Sequence, residues 1–485
     1  MTAWEKIGMF PSGFTWGAAS SAYQIEGGAA EGGRSPSVWD EFCARPGAVH
    51  GGATGAIACD HYHRYAEDLD LMQSIGLRAY RFSTSWSRVL PRGIGAINEA
   101  GLAFYDRLVD GLLERGIDPW LTLFHWDMPQ ELYCRGGWLN RDSAEWFAEY
   151  AGVMADRLSD RVKHWITINE PQIYIGLGHG DAIHAPGLKL SLRERLLAAH
   201  HTLMAHGRAV QVLRARAARP LLVGWAPVGR VVYPLDPTPD NTEAARQATF
   251  AVTKKDSWNN TWFSDPVCLG EYPSDGLEVL GADAPLPSAG DMKLIHQPLD
   301  FYGLNIYSGE PVRAGPDGEA VPEVLPHGYP QTTMRWLVAP ESLYWGPRFF
   351  YERYGLPIAI TENGMANIDI VDLGGRVRDP QRIDFTHRYL LALARSAADG
   401  ADIRGYFHWS IMDNFEWAEG YKERFGLIHV DYSTLKRTLK DSARWYARVI
   451  ESNGACLRLP SMDPTDAKVA TPPAPAMAGA PGRMR

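Results

Sequence analysis

The feature that most constrains the fold of this chain is a regular alternation of short apolar runs with longer amphipathic stretches. Eight runs rich in β-branched and aromatic residues are predicted to be strands: Phe14–Ala18, Ala79–Ser83, Trp120–Phe124, Trp165–Asn169, Leu222–Ala226, Phe301–Asn305, Ile358–Glu362 and Gly405–Trp409. Between them, apolar residues at three- and four-residue spacing predict helices over His63–Ile75, Ala100–Arg115, Asp142–Leu158, Leu192–Ala215, Glu341–Tyr354 and Asp379–Ala398. Strands that alternate with helices indicate βαβ units and a parallel sheet.

The number of strands favours an α/β fold consisting of a single (β/α)8 TIM barrel with long insertions in its βα loops. Length alone would suggest two or three domains for 485 residues, but barrels with insertions can exceed about 400 residues. A doubly wound sheet is the alternative, and no glycine-rich phosphate-binding turn follows any predicted strand. We therefore expect one domain over residues 1–455.

Two further segments differ in composition from the predicted barrel. Residues 456–485 are rich in Pro, Ala, Gly and Met and are expected to form a disordered C-terminal tail. Residues 313–330 are rich in Gly and Pro but lie between two predicted strands. We expect this second segment to form a loop over the upper face of the barrel.

Charge and motif content exclude several classes of function. A net charge of −9 disfavours a nucleic-acid or anionic-membrane binder. No uncharged apolar run is long enough to span a membrane, and Met1–Phe10 lacks the apolar core of a signal peptide. The odd number of cysteines, five, without a C-x-x-C pair predicts buried free thiols in a cytoplasmic protein. His61 and His63 have no further ligands at a recognised spacing, so neither a metal nor a cofactor is predicted.

The candidate functional residues follow the predicted strands, because active sites of such barrels lie at the carboxyl ends of the strands. The fourth strand runs directly into Glu170, and the seventh ends in Glu362. Pro171 and Gly364 end the two runs, so both carboxylates are expected to project from rigid positions. We expect the fourth and seventh strands to face each other across the barrel.

A pair of carboxylates in one pocket is the minimum machinery for hydrolysis of a glycosidic bond. A single glutamate after a strand is more often a solvated loop residue or an ion-pair partner. Two glutamates at matched strand ends make that interpretation much weaker. Indole and polar side chains at other strand ends suit the apolar faces and hydroxyl groups of a sugar; they are His125, Trp126, Asn305, Tyr307, Trp409, Glu416 and Trp417.

At these positions the sequence resembles glycoside hydrolase family 1, a family of retaining β-glucosidases and β-galactosidases. Six motifs carry the resemblance in order along nearly the whole chain: Phe14–Gly27, Arg81–Trp86, His125–Gln130, Thr167–Pro171, Thr361–Gly364 and Asp413–Tyr421. Their joint occurrence is far more specific than any single short motif.

The resemblance implies a role for each matching residue. Glu170 would be the acid/base with a raised pKa, and Glu362 would be a nucleophile kept ionised by its neighbours. In a retaining enzyme these carboxyl groups lie about 5 to 5.5 Å apart. The other residues implied are Arg81, Asn169, Asn305 and Tyr307 as support for the reaction, and Gln24, His125, Trp126, Asn169, Trp409, Glu416, Trp417 and Phe425 as binders of the terminal sugar.

The resemblance also bears on the substrate. A carboxylate at Glu416 would repel a 6-phosphate, so a neutral β-glucoside is expected, with tolerance of β-galactosides and β-fucosides. The peptide bond after Trp409 is expected to be cis. On the leaving-group side Trp336 is present, but Gln172 and Arg335 replace the usual Trp and Gly of the family, which leaves the aglycone preference open.

Two other functions compete with hydrolysis. A non-catalytic sugar-binding barrel is expected to lack one carboxylate, and both are present here. A transglycosylating enzyme, in which an alcohol replaces water, would use the same acid/base residue. The sequence therefore favours an enzyme and leaves the acceptor open.

Overall fold

The computed structural model describes residues 10–458, and its centre is a closed barrel of eight parallel strands. The predicted fold class, a single (β/α)8 barrel, is confirmed. All eight predicted strands are present, with bounds within two residues of those expected: β1 (Thr15–Ala19), β2 (Ala79–Ser83), β3 (Asp118–Phe124), β4 (His164–Asn169), β5 (Leu222–Ala226), β6 (Phe301–Asn305), β7 (Ile358–Asn363) and β8 (Ile403–Trp409).

The strands follow one another around the barrel in chain order, and β8 closes it by pairing with β1. β4 and β7 are separated by β5 and β6 and lie three strand positions apart, one short of directly opposite, so they face each other approximately across the barrel. Their carboxyl ends point to the same mouth, because all eight strands are parallel.

Helices cover the outside of the barrel. The six predicted helices begin and end within two residues of the expected positions, and a seventh follows β8: His61–Ile75, Glu99–Glu114, Ser143–Leu158, Leu192–Arg216, Ser342–Tyr354, Pro380–Ala398 and Asp441–Glu451. Shorter helices fill the insertions: Ala22–Ile25, Val38–Cys43, Trp86–Val89, Gln130–Cys134, Pro171–Ile173, Pro239–Phe250, Thr261–Cys268, Ser274–Leu280 and Ala289–Ile295.

The segment 313–330 is not simply a loop, as had been expected. Strands Glu310–Ala314 and Ala320–Pro322 form a hairpin, which joins Val232–Pro234 in a small three-stranded sheet. The Pro-Asp-Gly sequence at 316–318 makes the turn, and Gly318 adopts a positive φ of 80°. This tripeptide is a turn signature between two extended segments, which the composition of the segment had obscured. Strands Ile428–Asp431 and Lys436–Leu439 form a second hairpin.

Large aromatic residues fill the lower part of the barrel and leave its upper end for the site. The indole of Trp120 lies 4.8 Å from the ring of Phe407 and 5.2 Å from that of Phe301, measured between ring centroids. A Cβ at Gly17 would lie 2.5 Å from the Phe407 ring, so only glycine admits this ring on β1. Packed side chains of this kind make the barrel a core rather than a pore.

The prediction that the cysteines are buried thiols is confirmed only in part. Cys43 and Cys59 are buried thiols as expected, but Cys134 and Cys456 are exposed.

Within residues 10–458 no helix has the length and apolar character needed to cross a lipid bilayer. The predicted tail lies outside the described residues from position 459 onward, and the division at residue 455 stays a prediction.

A buried ionic network ties together the loops that follow β7 and β8. Lys440 Nζ lies 2.5 Å from Asp369 Oδ2 and 2.6 Å from Asp413 Oδ1, and all three side chains are fully buried. Arg382 also pairs with Asp369, at 2.7 Å, and Arg424 pairs with Asp413, at 2.6 Å. Asp413 begins the loop that carries Glu416 and Trp417, so this network helps to hold one wall of the upper barrel.

Removing the buried ammonium group should destabilise the fold. Lys440→Met keeps the length of the side chain but leaves two buried carboxylates with one cation fewer. We expect the free energy of unfolding, measured by urea denaturation, to fall by about 3 kcal/mol. Arg376→Met is the control, because Arg376 pairs with Asp441 at the surface, where water screens the pair and its loss should leave the stability nearly unchanged. Equal midpoints for the two variants would contradict this account of the network.

Candidate active site

Glu170 and Glu362 reach the same cavity, which has a volume of about 760 Å³ at the carboxyl end of the barrel. Both side chains are buried, with 7% and 3% of their surface exposed. Glu170 directly follows β4 in the left-handed backbone region, with a φ of 43°, and begins the short helix Pro171–Ile173. Such a backbone conformation is unfavourable for a residue other than glycine and is typical of functional positions.

The Glu362 carboxylate is held from two sides. Arg81 Nη1 donates to its Oε1 at 2.7 Å, and the Tyr307 hydroxyl donates to its Oε2 at 2.7 Å. Arg81 extends from β2 and is 1% exposed, so its charge needs the carboxylate as a partner. Glu362 is thereby fixed in position with both oxygens occupied.

Two asparagines connect this pair to Glu170. Thr361 Oγ1 donates to Asn305 Oδ1 at 2.6 Å, which turns the amide nitrogen of Asn305 toward Glu170 Oε1 at 2.9 Å. The same nitrogen donates to Asn169 Oδ1 at 3.0 Å, where Arg81 Nη2 also donates at 2.6 Å. The two carboxyl groups are therefore joined by one continuous hydrogen-bond network.

Burial is the largest cause of the pKa shift of both carboxyl groups. Burial and the nearby charge of Glu362 raise the pKa of Glu170 well above its usual range. Burial also raises the pKa of Glu362, but Arg81 and Tyr307 oppose the shift because they favour the charged form. The neighbours expected to keep Glu362 ionised are thus in place, and they act against desolvation.

Six of the residues expected to bind the terminal sugar line the cavity: His125, Trp126, Trp409, Glu416, Trp417 and Phe425. The rings of His125 and Trp409 lie nearly parallel at 5.7 Å, and Trp126 packs against Trp417 at 4.6 Å. Trp126 and Trp417 both have positive φ values, 76° and 51°. The peptide bond between Trp409 and Ser410 is cis, as expected. Phe425 lines the same cavity.

His125 is neutral in this environment. Burial and the charge of Arg81 lower the pKa of its imidazole well below the usual range. Its Nε2 lies 3.2 Å from the amide nitrogen of Asn169, and an unprotonated Nε2 accepts a hydrogen bond there.

Glu416 is only partly charged at neutral pH, whereas the sequence predicts a full carboxylate at this position. Burial and the charge of Glu362 raise its pKa to about 8, so repulsion of a phosphate by a full negative charge is not assured at neutral pH. Gln24 Nε2 lies 3.4 Å from Glu416 Oε2 and donates to Phe415 O at 2.9 Å. Gln24 is fully buried and is not among the residues that line the cavity, so its role as a sugar binder stays a prediction.

Of the two residues predicted on the leaving-group side, Trp336 and Gln172, only Trp336 lines the cavity. Trp336 lines the cavity, with its ring 5.1 Å from that of Tyr307. Gln172 does not: it is 2% exposed, and its Oε1 accepts a hydrogen bond from Val228 N at 3.3 Å. Gln172 lies behind Val228, which lines the cavity, and its part in binding the leaving group stays a prediction.

Sequence analysis missed most of the remaining cavity wall. The residues concerned include Ile173, Leu177, Val228, Arg230, Trp258, Glu310 and Met334. Trp258 stands in the polar stretch 256–260, where an isolated indole was a usable signal. The others are ordinary loop residues whose position depends on how the insertions fold.

Comparison with known proteins decides the family. The sequence profile described as "Glycosyl hydrolase family 1" matches residues 6–455. The chain belongs to glycosyl hydrolase family 1. This membership confirms the resemblance drawn from the six motifs and identifies the chain as a glycoside hydrolase.

Relatives within family 1 are similar over nearly their whole length. A 1,4-beta-D-glucan glucohydrolase of Thermotoga neapolitana is 43% identical over 449 residues, covering 92% of this chain and 99% of the relative. A bifunctional beta-D-glucosidase/beta-D-fucosidase of Bifidobacterium breve is 42% identical over 474 residues, with 92% and 99% covered. The solved family 1 β-glucosidase of Thermotoga maritima has a TM-score of 0.84 at 41% identity, covering 92% of this chain and 100% of that one.

Loss of the Tyr307 hydroxyl should shift the pH profile of the family 1 site. In Tyr307→Phe the Glu362 carboxylate loses a donor that favours its charged form, so its pKa rises further. If Glu362 must be ionised to react, the acid limb of kcat/KM moves to higher pH, by roughly one unit. Tyr344→Phe is the control, since its hydroxyl bonds to Asp399 at the protein surface. An unmoved acid limb in Tyr307→Phe would refute this role for the hydroxyl.

Proposed function

We propose that the protein is a retaining exo-β-glycosidase that removes terminal β-D-glucosyl residues by double displacement. The observation that carries the proposal is the pair of buried carboxyl groups, Glu170 and Glu362, in one cavity with different hydrogen-bond partners. One is hydrogen bonded by a neutral amide and the other by a guanidinium and a phenol. These different environments suit Glu170 to donate a proton and Glu362 to act as a charged nucleophile.

Glu170 is the acid/base. Its raised pKa favours the protonated carboxyl, which can donate a proton to the oxygen of the leaving group. Glu362 attacks the anomeric carbon as that bond breaks and forms a covalent glycosyl-enzyme. With its proton gone, Glu170 then accepts a proton from water, which attacks the anomeric carbon and releases the sugar with retained configuration.

The supporting residues act where charge develops. Arg81 and Tyr307 stabilise the Glu362 carboxylate before attack and when it leaves the sugar again. Asn169 is placed by Arg81 and Asn305 so that its amide can bond to the sugar 2-hydroxyl, a contact that strengthens toward the oxocarbenium-like transition state. The carboxyl separation expected for this mechanism is about 5 to 5.5 Å.

The shape of the cavity supports exo action on a neutral sugar. Trp126 and Trp417 pack against each other at 4.6 Å and line the cavity together with Glu416, and we infer that they form the wall against which one terminal sugar binds. The names of the relatives support β-glucosides as substrates, and one of them supports activity on β-fucosides as well. A cytoplasmic location and the absence of a cofactor stay predictions of the sequence.

Two variants separate the proposed roles of the carboxyl groups. Glu362→Ala removes the nucleophile, and we expect kcat on a dinitrophenyl β-glucoside to fall by roughly 10⁴-fold or more. Glu170→Ala should spare the first step with this good leaving group but slow the second, which a burst of dinitrophenol in stopped-flow measurement would show. Azide should then accelerate the turnover of Glu170→Ala, because the small anion enters where the base is missing. Near wild-type turnover by Glu362→Ala would rule out the mechanism.

The identity of the terminal sugar is tested by a panel of nitrophenyl β-glycosides. We expect the highest kcat/KM for the glucoside or fucoside, lower values for the galactoside, and the lowest for glucoside 6-phosphate. Glu416 and its aromatic neighbours offer no cation to a phosphate group at this end of the cavity. A preference for the 6-phosphorylated substrate would overturn the assignment to neutral sugars.

A further inference from the structure

Thr361 directly precedes Glu362 on β7, and the mechanism above gives its side chain no role. It is fully buried. The pairing of β7 with β6 is irregular here: Ile360 pairs with Leu304, and Glu362 pairs with the next residue, Asn305, so that Thr361 is one residue extra. Such a bulge changes the direction in which the side chains of a strand point.

The close approach of β6 fixes the threonine side chain. A Cβ at Gly303 would lie 2.9 Å from Cγ2 and 3.1 Å from Oγ1 of Thr361, so the glycine leaves room for this side chain. The main-chain oxygen of Thr361 accepts a hydrogen bond from Arg81 Nη1 at 3.0 Å. The hydroxyl is therefore held toward Asn305, where it donates to Oδ1 at 2.6 Å.

The direction of the hydrogen bonds in this network follows from Arg81. A guanidinium only donates, so the amide oxygen of Asn169 faces Arg81 Nη2, at 2.6 Å. Asn305 then offers its nitrogen to Asn169 Oδ1, at 3.0 Å, and its oxygen lies on the other side. Asn305 is 1% exposed, so its oxygen needs a donor, which Thr361 supplies. Arg81 and Thr361 thus fix one amide from its two ends.

The orientation of the Asn305 amide decides which oxygen of Glu170 carries the proton. Asn305 Nδ2 donates to Glu170 Oε1 at 2.9 Å. Oε1 therefore accepts, and the proton of the neutral carboxyl group lies on Oε2. With the amide reversed, its oxygen would face Oε1 and would accept the proton of Glu170. The acid would then donate to Asn305 instead of to the leaving group.

Charged and titratable groups from four other segments also face Glu170: Arg81 on β2, Tyr307 after β6, Glu362 on β7 and Glu416 after β8. Burial and the two glutamates raise the pKa of Glu170, whereas the bond from Asn305 and the guanidinium lower it. Thr361 is uncharged. Its replacement leaves all of these charges in place and acts on Glu170 through Asn305.

We propose that Thr361 is a positioning residue that, through Asn305, keeps the proton of Glu170 on Oε2, where it can reach the leaving group. The proposal rests on the proposed role of Glu170 as the acid/base. In the first displacement this proton moves from Oε2 to the glycosidic oxygen, which keeps the electron pair of the breaking bond. Glu362 supplies the pair for the new bond to the anomeric carbon.

The test compares a phenyl and a dinitrophenyl β-glucoside, because only the phenyl leaving group needs a proton to depart. Thr361→Val keeps the shape of the side chain but leaves the Asn305 oxygen without its donor. We expect kcat/KM, which reports the first displacement, to fall about tenfold with the phenyl glucoside and less than about twofold with the dinitrophenyl glucoside. Thr361→Ser keeps the hydroxyl and should restore most of the activity on the phenyl glucoside.

The pH profile gives a second measurement on the same variant. Without the donor, the bond that favours the charged form of Glu170 weakens, so the pKa of Glu170 rises. Because the phenyl glucoside requires the protonated acid, the basic limb of kcat/KM should move to higher pH, by roughly one unit. An unmoved basic limb in Thr361→Val would contradict the proposal.

Thr167→Val is the matched control. Thr167 is also fully buried on a barrel strand, but its hydroxyl lies 2.7 Å from Nδ1 of His206, on the helix Leu192–Arg216. We expect this variant to stay within about twofold of the wild type on both glucosides. If Thr361→Val does not fold, Thr361→Ala, which also lacks the hydroxyl, takes its place in both measurements.

Equal losses on the two glucosides in Thr361→Val would overturn the proposal, because they would place the effect on the nucleophile or on the fold. Unchanged activity on the phenyl glucoside would overturn it as well. Glu170→Ala in the same panel tests the underlying function. Equal losses on both substrates in that variant would reject Glu170 as the acid, whatever the result for Thr361.

Discussion

The Arg81 guanidinium is the contact on which the geometry of the site depends. It extends from β2, is 1% exposed, and donates hydrogen bonds to Thr122 on β3, Asn169 on β4 and Glu362 on β7. A buried cation needs these acceptors, and the acceptors need the cation, because unpaired charge is strongly disfavoured inside a protein. Arg81 therefore fixes the nucleophile and the 2-hydroxyl binder relative to each other.

Around this cation the cavity gathers three carboxyl groups, Glu170, Glu362 and Glu416, where desolvation raises every pKa. Of the three, only Glu362 pairs with Arg81, so the three carboxyl groups differ in how strongly their charged form is stabilised. The difference in partners makes one group suited to attack and another suited to donate a proton. Burial and the charge of Glu362 raise the pKa of Glu416 to about 8, so this carboxyl group carries only part of a negative charge at neutral pH.

The wall of the cavity is built in two ways. The sugar-binding part uses strand termini and left-handed backbone at Trp126 and Trp417, held by ring packing and by the ionic network around Lys440. Other parts come from long insertions, with Trp258 resting on Gly176. Recognition of the sugar thus depends on the barrel itself, whereas the insertions can vary without disturbing the barrel.

The sequence by itself determined the eight strands, the six long helices and the residues that end β3, β4, β6, β7 and β8, since periodicity and strand termini are local properties of the chain. It did not determine that Gln172 lies behind Val228, that 313–330 contains a hairpin, or that Trp258 reaches the cavity. Nor did it reveal the raised pKa of Glu416. These features depend on contacts between residues far apart in the chain and on the exclusion of water, which only the tertiary structure decides.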